Sequence, residues 1–356
     1  MRRLLSTIAL ALLVVFGATA KEKTYALYGI GFYNLENLFD TCHDEGKNDY
    51  EYLPDGKNKW NGLKYSHKLR NMARVLSEMG TDRLPNGCAV IGVSEVENAK
   101  CLADLCQTEP LKQRGYKHVL LEGPDQRGVD CGLLYNPRLF EIRNVKLVPY
   151  VYVKPEDSLR ATRGFLTVSG TLAGEHVTVI VNHLPSRFAG SFYREEGGRQ
   201  IRIVKDSLLR DDPDVKIIIM GDMNDDPQDA SMATALGARR KIADVEDEGL
   251  WNPFWDTLAS GTGTLQYDGK WNLFDQIILS RGLLDMKAMR KTLNFKPSDI
   301  DCDRLKYFRH QVFRRDYLFQ KEGKYKGNTL RTHAGGAWLD GFSDHLPTVV
   351  YLIKAQ

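Results

Sequence analysis

The sequence has 356 residues, 42% of them hydrophobic and 27% charged, with 31 Gly, 13 Pro and a formal net charge of +3. That balance excludes a disordered or collagen-like chain and predicts a buried core. At roughly 150 residues per domain the length allows two domains, or one large domain of two-sheet or α/β type.

The first twenty residues, from Met1 to Ala20, carry Arg2 and Arg3, then an apolar run from Leu4 to Phe16, then small residues ending Ala18-Thr19-Ala20. This is the pattern of a secretory signal cleaved after Ala20, since the run is shorter than the roughly 20 residues a membrane span needs. No Cys stands at the cleavage position, so no lipid anchor is expected there. The reading is an exported, periplasmic or extracellular protein with no stable membrane insertion, folded as one domain over residues 21–356 and acting as a monomer.

Strand-like runs rich in Val, Ile, Leu and aromatics follow at residues 26–33, 89–93, 116–121, 129–135, 165–169, 176–181, 215–220, 273–279 and 348–353. Between them, Leu69, Met72, Leu76 and Met79 recur at helical spacing within residues 65–79. A short helix is expected over 99–107, capped by Asn98, and a longer one over 192–209 with Ile201, Val204 and Leu208 on one face. Strands outnumber helices, and several follow each other through short turns, so two stacked sheets with helices outside fit best.

Six cysteines, Cys42, Cys88, Cys101, Cys106, Cys131 and Cys302, allow 15 pairings. Cys101 and Cys106 are too far apart for a C-x-x-C pair, and the expectation is one local disulfide plus buried thiols. Charge is uneven. Without Arg2 and Arg3 the net charge is +1; residues 287–331, with 13 Lys or Arg against 5 Asp or Glu, carry +8 of it, leaving −7 for the rest. The basic stretch also contains Phe295, Tyr307, Phe308, Phe313, Tyr317, Phe319 and Tyr325. It reads either as a flank that grips a nucleic-acid strand or as a solvated insertion that packs its aromatics on the domain.

Polar residues of catalytic type cluster where strands hand over to loops. They are Asn34-Leu35-Glu36, Ser94-Glu95-Val96-Glu97-Asn98, Asn182-His183-Leu184, Gly221-Asp222-Met223-Asn224, Phe274-Asp275-Gln276 and Ser343-Asp344-His345. A single Gly-Asp-x-Asn is as often a turn as a site. Six such places on strand ends that a sandwich brings to one rim supply the hard oxygens, amides and histidines that divalent-metal phosphoester chemistry needs. Arg127, just before the strand at 129–135, is placed to clamp a phosphate, as Arg163 is with less support. Glu97 reads as structural.

Together and in this order, these six motifs resemble the endonuclease/exonuclease/phosphatase (DNase I-like) superfamily. The resemblance implies a four-layer αββα sandwich, α/β (α+β) in class, of two mainly antiparallel sheets flanked by helices. It implies Mg²⁺ or Mn²⁺ as cofactor, with Ca²⁺ also allowed, at Glu95, with Glu36, Asn34 and Asp344 as ligands or their partners. It implies that Asp222 orients or deprotonates the attacking water, that Asn224 donates to the phosphate, and that His345, held by Asp275, stabilises developing charge. His183 resembles a second phosphate-contacting histidine of the DNase and sphingomyelinase branches; Asn182 and Arg127 complete the substrate contacts. The expected function is a secreted metal-dependent phosphodiesterase, a nuclease on DNA or RNA. A lipid or inositol-phosphate esterase and a non-catalytic polyanion-binding module are the alternatives.

Overall fold

The computed structural model describes residues 23–157 and 159–356, so the leader expected over residues 1–20 lies outside the described residues. The chain opens with β1 (Tyr25–Leu38), α1 (Gly62–Glu78), β2 (Val90–Val96), α2 (Ala99–Cys106), β3 (Lys117–Leu120) and β4 (Asp130–Tyr135). Its middle supplies β5 (Phe140–Val148), β6 (Phe165–Leu172), β7 (Glu175–His183), α3 (Ser191–Asp211), β8 (Lys216–Asp222), β9 (Ala238–Arg239) and β10 (Leu250–Trp251). Then come α4 (Phe254–Ala259), a hairpin of β11 (Leu265–Tyr267) and β12 (Lys270–Asn272), β13 (Asp275–Ser280), α5 (Met286–Met289), β14 (Lys306–Val312), the pair β15 (His333–Ala334) and β16 (Ala337–Trp338), and β17 (Thr348–Ala355).

The long strands form a six-stranded sheet, ordered β14-β17-β1-β2-β4-β3, and a seven-stranded sheet, ordered β5-β6-β7-β8-β13-β10-β9. Neighbours are antiparallel except β1 with β2, β7 with β8 and β9 with β10. The central strands are apolar on both faces because each sheet is covered twice. Along β8, Ile218 and Met220 join the core between the sheets with Val177, Val179 and Val181, while Ile217 and Ile219 pack with Ile201 of α3 on the outer face. α1 covers the other outer face through Leu69, Met72, Val75 and Leu76. The result is the expected αββα sandwich. No helix among the described residues is long and apolar enough to cross a membrane.

Three expectations need correction. Strands β5 and β14 had no counterpart in the apolar runs, because both are edge strands: exposed positions of β5 carry Glu141, Arg143 and Asn144, and half-buried positions of β14 carry Arg309 and Gln311. All six cysteines are free thiols, five of them buried. Cys101 and Cys106 lie five residues apart on α2 and point into the core, so no local disulfide forms.

The basic stretch at 287–331 is not an insertion. It supplies β14, paired along β17 from Lys306 opposite Ile353 to Val312 opposite Thr348. Phe295, Tyr307, Phe308 and Phe313 are core residues. Arg309 donates to the carbonyls of Leu293 and Phe295, Arg304 pairs with Glu175, and Arg315 pairs with Asp82 at 2.7 Å and with Glu78. Arg304, Arg315 and Arg331 of the stretch thus meet carboxylates, while Lys306 and Arg309 are held by carbonyls, and the part preceding β14 lies at the sheet end away from His345.

Candidate active site

Local backbone irregularities aim the site. The β1–β2 ladder breaks between Asn34 and Leu38, and the β2–β4 ladder between Ser94 and Val96. Glu36, Asn37 and Glu95 in these bulges, and Asn224 after β8, have φ of 49°, 59°, 60° and 50°. Non-glycine residues in this left-handed region cost about 1–3 kcal/mol each and concentrate at functional sites. A bulge turns a side chain out of the alternating pattern, and here it delivers Glu95 to the rim. In the second sheet, register does the same work: His183 lies opposite Asp222, and Asp275 lies opposite Asp222 on its other side. Gly221 permits this pairing, since a Cβ there would sit 2.2 Å from the Asn182 carbonyl oxygen.

Asp222 is the hub. Its Oδ1 accepts the Asn224 backbone N–H at 2.9 Å, and its Oδ2 accepts from Asn34 Nδ2 at 3.0 Å. Burial pushes its carboxyl up to about 6 against the nearby positive charge of His345. His345 Nδ1 donates to Asp275 Oδ2 at 2.7 Å, and its Nε2 lies 3.7 Å from Asp222 Oδ2. Burial opposes its protonation, but Asp275 and Asp222 outweigh burial and hold the imidazole well above its usual value. His183 goes the other way. Burial, then the charges of Arg163, Arg127 and His345, keep it well below the usual range. Its Nε2 stands 3.5 Å from Asp222 Oδ2 and 3.8 Å from Glu95 Oε1. The two histidines thus differ in charge, a cationic one beside Asp275 and a neutral one beside Glu95.

Glu95, His183, Asp222, Asn224 and His345 line one cavity of about 520 Å³, whose wall includes Arg127 and Arg160. Glu95 Oε2 accepts the Asn37 N–H at 3.0 Å, while Oε1 accepts no hydrogen bond among the described residues. That free carboxylate oxygen and Asp344 Oδ1, which lies 3.9 Å from His345 Nε2, are hard oxygen donors of the kind a divalent cation takes.

These motifs hold the chain's identity. Residues 29–354 match the Endonuclease/Exonuclease/phosphatase family. The chain belongs to that family. Its class of chemistry is therefore that of a phosphoric ester hydrolase. No curated protein sequence matches it. Among solved structures, an endonuclease/exonuclease/phosphatase family protein from Bacteroides thetaiotaomicron is similar over 94% of this chain and 97% of its own, at 16% identity and a TM-score of 0.54. A mannosyl-6-phosphatase from the same organism covers 91% and 99%, at 17% identity and 0.54. TDP2 of D. rerio, solved with a single-stranded DNA product, covers 92% and 99%, at 15% identity and 0.50. At these identities the likeness is one of fold.

Not every expected residue reaches the cavity. Both Glu36 oxygens are taken, Oε1 by Arg331 Nε and Oε2 by the Thr332 N–H, each at 2.8 Å. Burial and the Asp344 charge push Glu36 up to about 7, against Lys68 and Arg331. It anchors Arg331 and the segment at Thr332. Asn34 is likewise committed, its Oδ1 to the Glu36 N–H at 2.8 Å and its Nδ2 to Asp222. Asn182 is fully buried and donates to the Met220 carbonyl at 2.8 Å, which ties β7 to β8. Asp344 pairs through Oδ2 with Arg331 Nη2 at 2.8 Å and keeps Oδ1 for the site. Arg163 is buried, bound to Asp125 at 2.9 Å and to the His183 carbonyl, so it positions His183. Glu97 accepts the Asp40 N–H at 2.7 Å and lies beside Cys101.

Arg160, Arg331 and buried Lys68 are the contributors that sequence reading missed. Lys68 donates to Thr332 Oγ1 and the Phe342 carbonyl, fixing the segment that carries Arg331. Arg331 was visible only as one charge in a basic run, and Lys68 only as a polar residue on a helical face.

Proposed function

We propose that the protein is an exported, divalent-metal-dependent hydrolase acting on a small phosphoester or the end of a phosphoester chain. The observation that supports this best is the convergence of Glu95, Asp222, His183 and His345 on one 520 Å³ cavity with Arg127 and Arg160 on its wall. A cavity of that size suits a terminal phosphoester and its nearest substituent. Arg127, half exposed and held loosely by Asp125 at 3.8 Å, is free to meet phosphate oxygens.

With its carboxyl near 6, Asp222 is ionised at neutral pH and takes the proton of the attacking water. Asn34 and the Asn224 N–H fix its two oxygens, so it acts in one orientation. Protonated His345 directs Nε2–H at the phosphate, where charge develops as the bond to water forms. Neutral His183 offers Nε2 to the same phosphate without repelling a cation at Glu95. Mg²⁺ or Mn²⁺ held at Glu95, with Asp344 nearby, would polarise a phosphoryl oxygen and neutralise its charge. Intact geometry of this kind argues against a module that only binds polyanions.

A nucleic-acid strand is the second reading. It is favoured by Arg314, whose guanidinium lies 5.0 Å from the Trp271 ring centre and 4.7 Å from that of Phe319, with no carboxylate partner among the described residues. The DNA product held by D. rerio TDP2 is a precedent for such a substrate on this fold. The test is purified protein with Mg²⁺, Mn²⁺ or chelator, assayed against sugar phosphates, nucleotides, single-stranded DNA, inositol phosphates and sphingomyelin. Metal-dependent release of phosphate from small esters supports the reading; internal cleavage of DNA alone replaces it with the second. No metal-dependent hydrolysis of any ester removes both.

A further inference from the structure

Beside the catalytic cavity lies a second, separate groove of about 340 Å³ that shares Ser186 and Asn224 with it. Phe274 and Leu265 form its floor, and Phe188 and Tyr267 stand on its walls. The two wall rings are 100% and 71% exposed, which is costly for aromatics that do nothing but face water. Among the described residues, the only charged one lining the groove is Arg187. Its guanidinium is engaged by Asp226 at 3.2 Å, Asp229 at 3.0 Å and Asn272 at 3.1 Å, and stacks 4.5 Å from the Phe274 ring centre. The groove therefore presents rings and a neutralised cation, the opposite of the arginine-lined catalytic cavity.

The groove is also built onto the catalytic residues. Leu265 pairs as an isolated β-bridge with His345, and the Leu346 N–H donates to the Thr264 carbonyl at 2.8 Å. Phe274 immediately precedes Asp275, the partner of His345. On the other wall, Phe188 sits on the short turn at 187–189 that follows the His183 strand. A phosphate resting against Asn224 and His345 thus has its arginine-lined cavity on one side and this groove on the other.

We propose that the groove is a substrate subsite for an uncharged planar aromatic substituent of the phosphoester, an aryl ring or a nucleoside base, bound against Phe188 and Tyr267. The inference rests on the hydrolase reading above and specifies what one of the ester's substituents is. Ring-on-ring contact adds to area burial when faces or edges meet at ordinary stacking distances. Charge complementarity selects against a phosphate or sugar acid here, because Arg187 is already paired.

The test measures binding, which separates recognition from leaving-group reactivity. Calorimetry in Mg²⁺ compares methylphosphonate, phenylphosphonate and a nucleoside 5′-phosphonate on the wild type, on the Phe188→Ala, Tyr267→Ala double variant, and on Leu63→Ala, an exposed apolar position on α1. The wild type should prefer at least one aromatic phosphonate over methylphosphonate by about tenfold. Which one it prefers tells aryl from nucleoside. The preference should fall to about one in the double variant and persist in Leu63→Ala. A wild-type preference near one, or a preference unchanged in the double variant, overturns the subsite. So does sedimentation with phosphatidylcholine vesicles that is lost in the double variant while the preference stays, since the rings would then be a membrane contact. Hydrolysis assays run alongside keep the two claims apart. Aromatic preference without any metal-dependent hydrolysis would sink the functional reading, whereas hydrolysis without the preference would sink only the subsite.

Discussion

Asp275→Asn isolates the feature on which the charge of His345 depends. Asp275 is fully buried, and its Oδ2 meets His345 Nδ1 at 2.7 Å. The substitution keeps the shape and removes the charge. Hydrogen bonds to charged groups contribute about 1.5–3 kcal/mol, which corresponds to roughly one to two units in the imidazole's acidity at 1.36 kcal/mol per unit. The direction follows from the ionisation. His345 is active when protonated and its pKa is held well above the usual value, so activity persists through neutral pH and is lost as pH rises through that raised value. Without the Asp275 charge, burial and the remaining neighbours set the value, and the alkaline limb of the kcat/KM profile should move down by about one to two units. Loss of the same interaction at the transition state should lower kcat/KM at its plateau by about 10- to 100-fold. The assay is a pH series of kcat/KM on a small phosphoester in saturating Mg²⁺, with a thermal melt to show that the variant is folded. An unmoved alkaline limb with kcat/KM within about twofold of wild type would refute the pairing as the source of the charge.

Other expected outcomes follow from the same geometry. Glu95→Gln should lower metal-supported turnover by at least about a hundredfold and raise the half-saturating Mg²⁺ concentration, read by metal titration, because the free Oε1 loses its charge. Gly221→Ala should lower the thermal midpoint, at a cost of about 1–3 kcal/mol or more, because its Cβ meets the Asn182 carbonyl 2.2 Å away in paired backbone. Glu175 ties both sheets together: despite its burial, Lys216 at 2.7 Å, the Leu305 N–H and Lys354 hold its carboxyl down to about 2. A depressed carboxyl stabilises the fold above its unfolded value and loses that effect as pH falls through the folded one. Glu175→Gln should therefore cost about 2–3 kcal/mol at pH 7 in urea unfolding, with the difference from wild type closing between about pH 4.5 and 2.

The candidate site was legible because it sits at strand ends, where Asp222, Asn224, Asp275 and His345 interrupt or flank strongly apolar runs. The cap by Asn98 needs only the order of elements and residue type, whereas the pairing of His345 with Asp275 is what the family resemblance implies; both are present. What escaped depends on distant chain segments. Arg331 reaches Glu36 across 295 residues of sequence, and no local pattern says that a cation will fill that carboxylate. The basic stretch misled for a related reason. Clustering in sequence suggested clustering in space, but β14 pairs along β17, so the cations at its two ends, Arg304 and Arg315, are held apart and meet different acids, Glu175 and Asp82. Edge strands β5 and β14 were hidden because one face of each meets water, which mixes charges into the apolar alternation. The aromatic groove was invisible for want of any signal that Phe188, on the turn at 187–189, and Tyr267, at the end of β11, line one gap.

The order of strands couples folding to activity. β17 lies between β14 and β1, and the turn leading into it carries Asp344 and His345, with Ser343 bonded to the Asn34 carbonyl 309 residues away. Closing a loop of that length is late and entropically costly, and it completes the sheet and the active site in one event. A collapsed chain with β17 unpaired has Asp222 and Glu95 but no imidazolium opposite them. On the proposed function, recovery of hydrolysis during refolding would report the docking of this one strand.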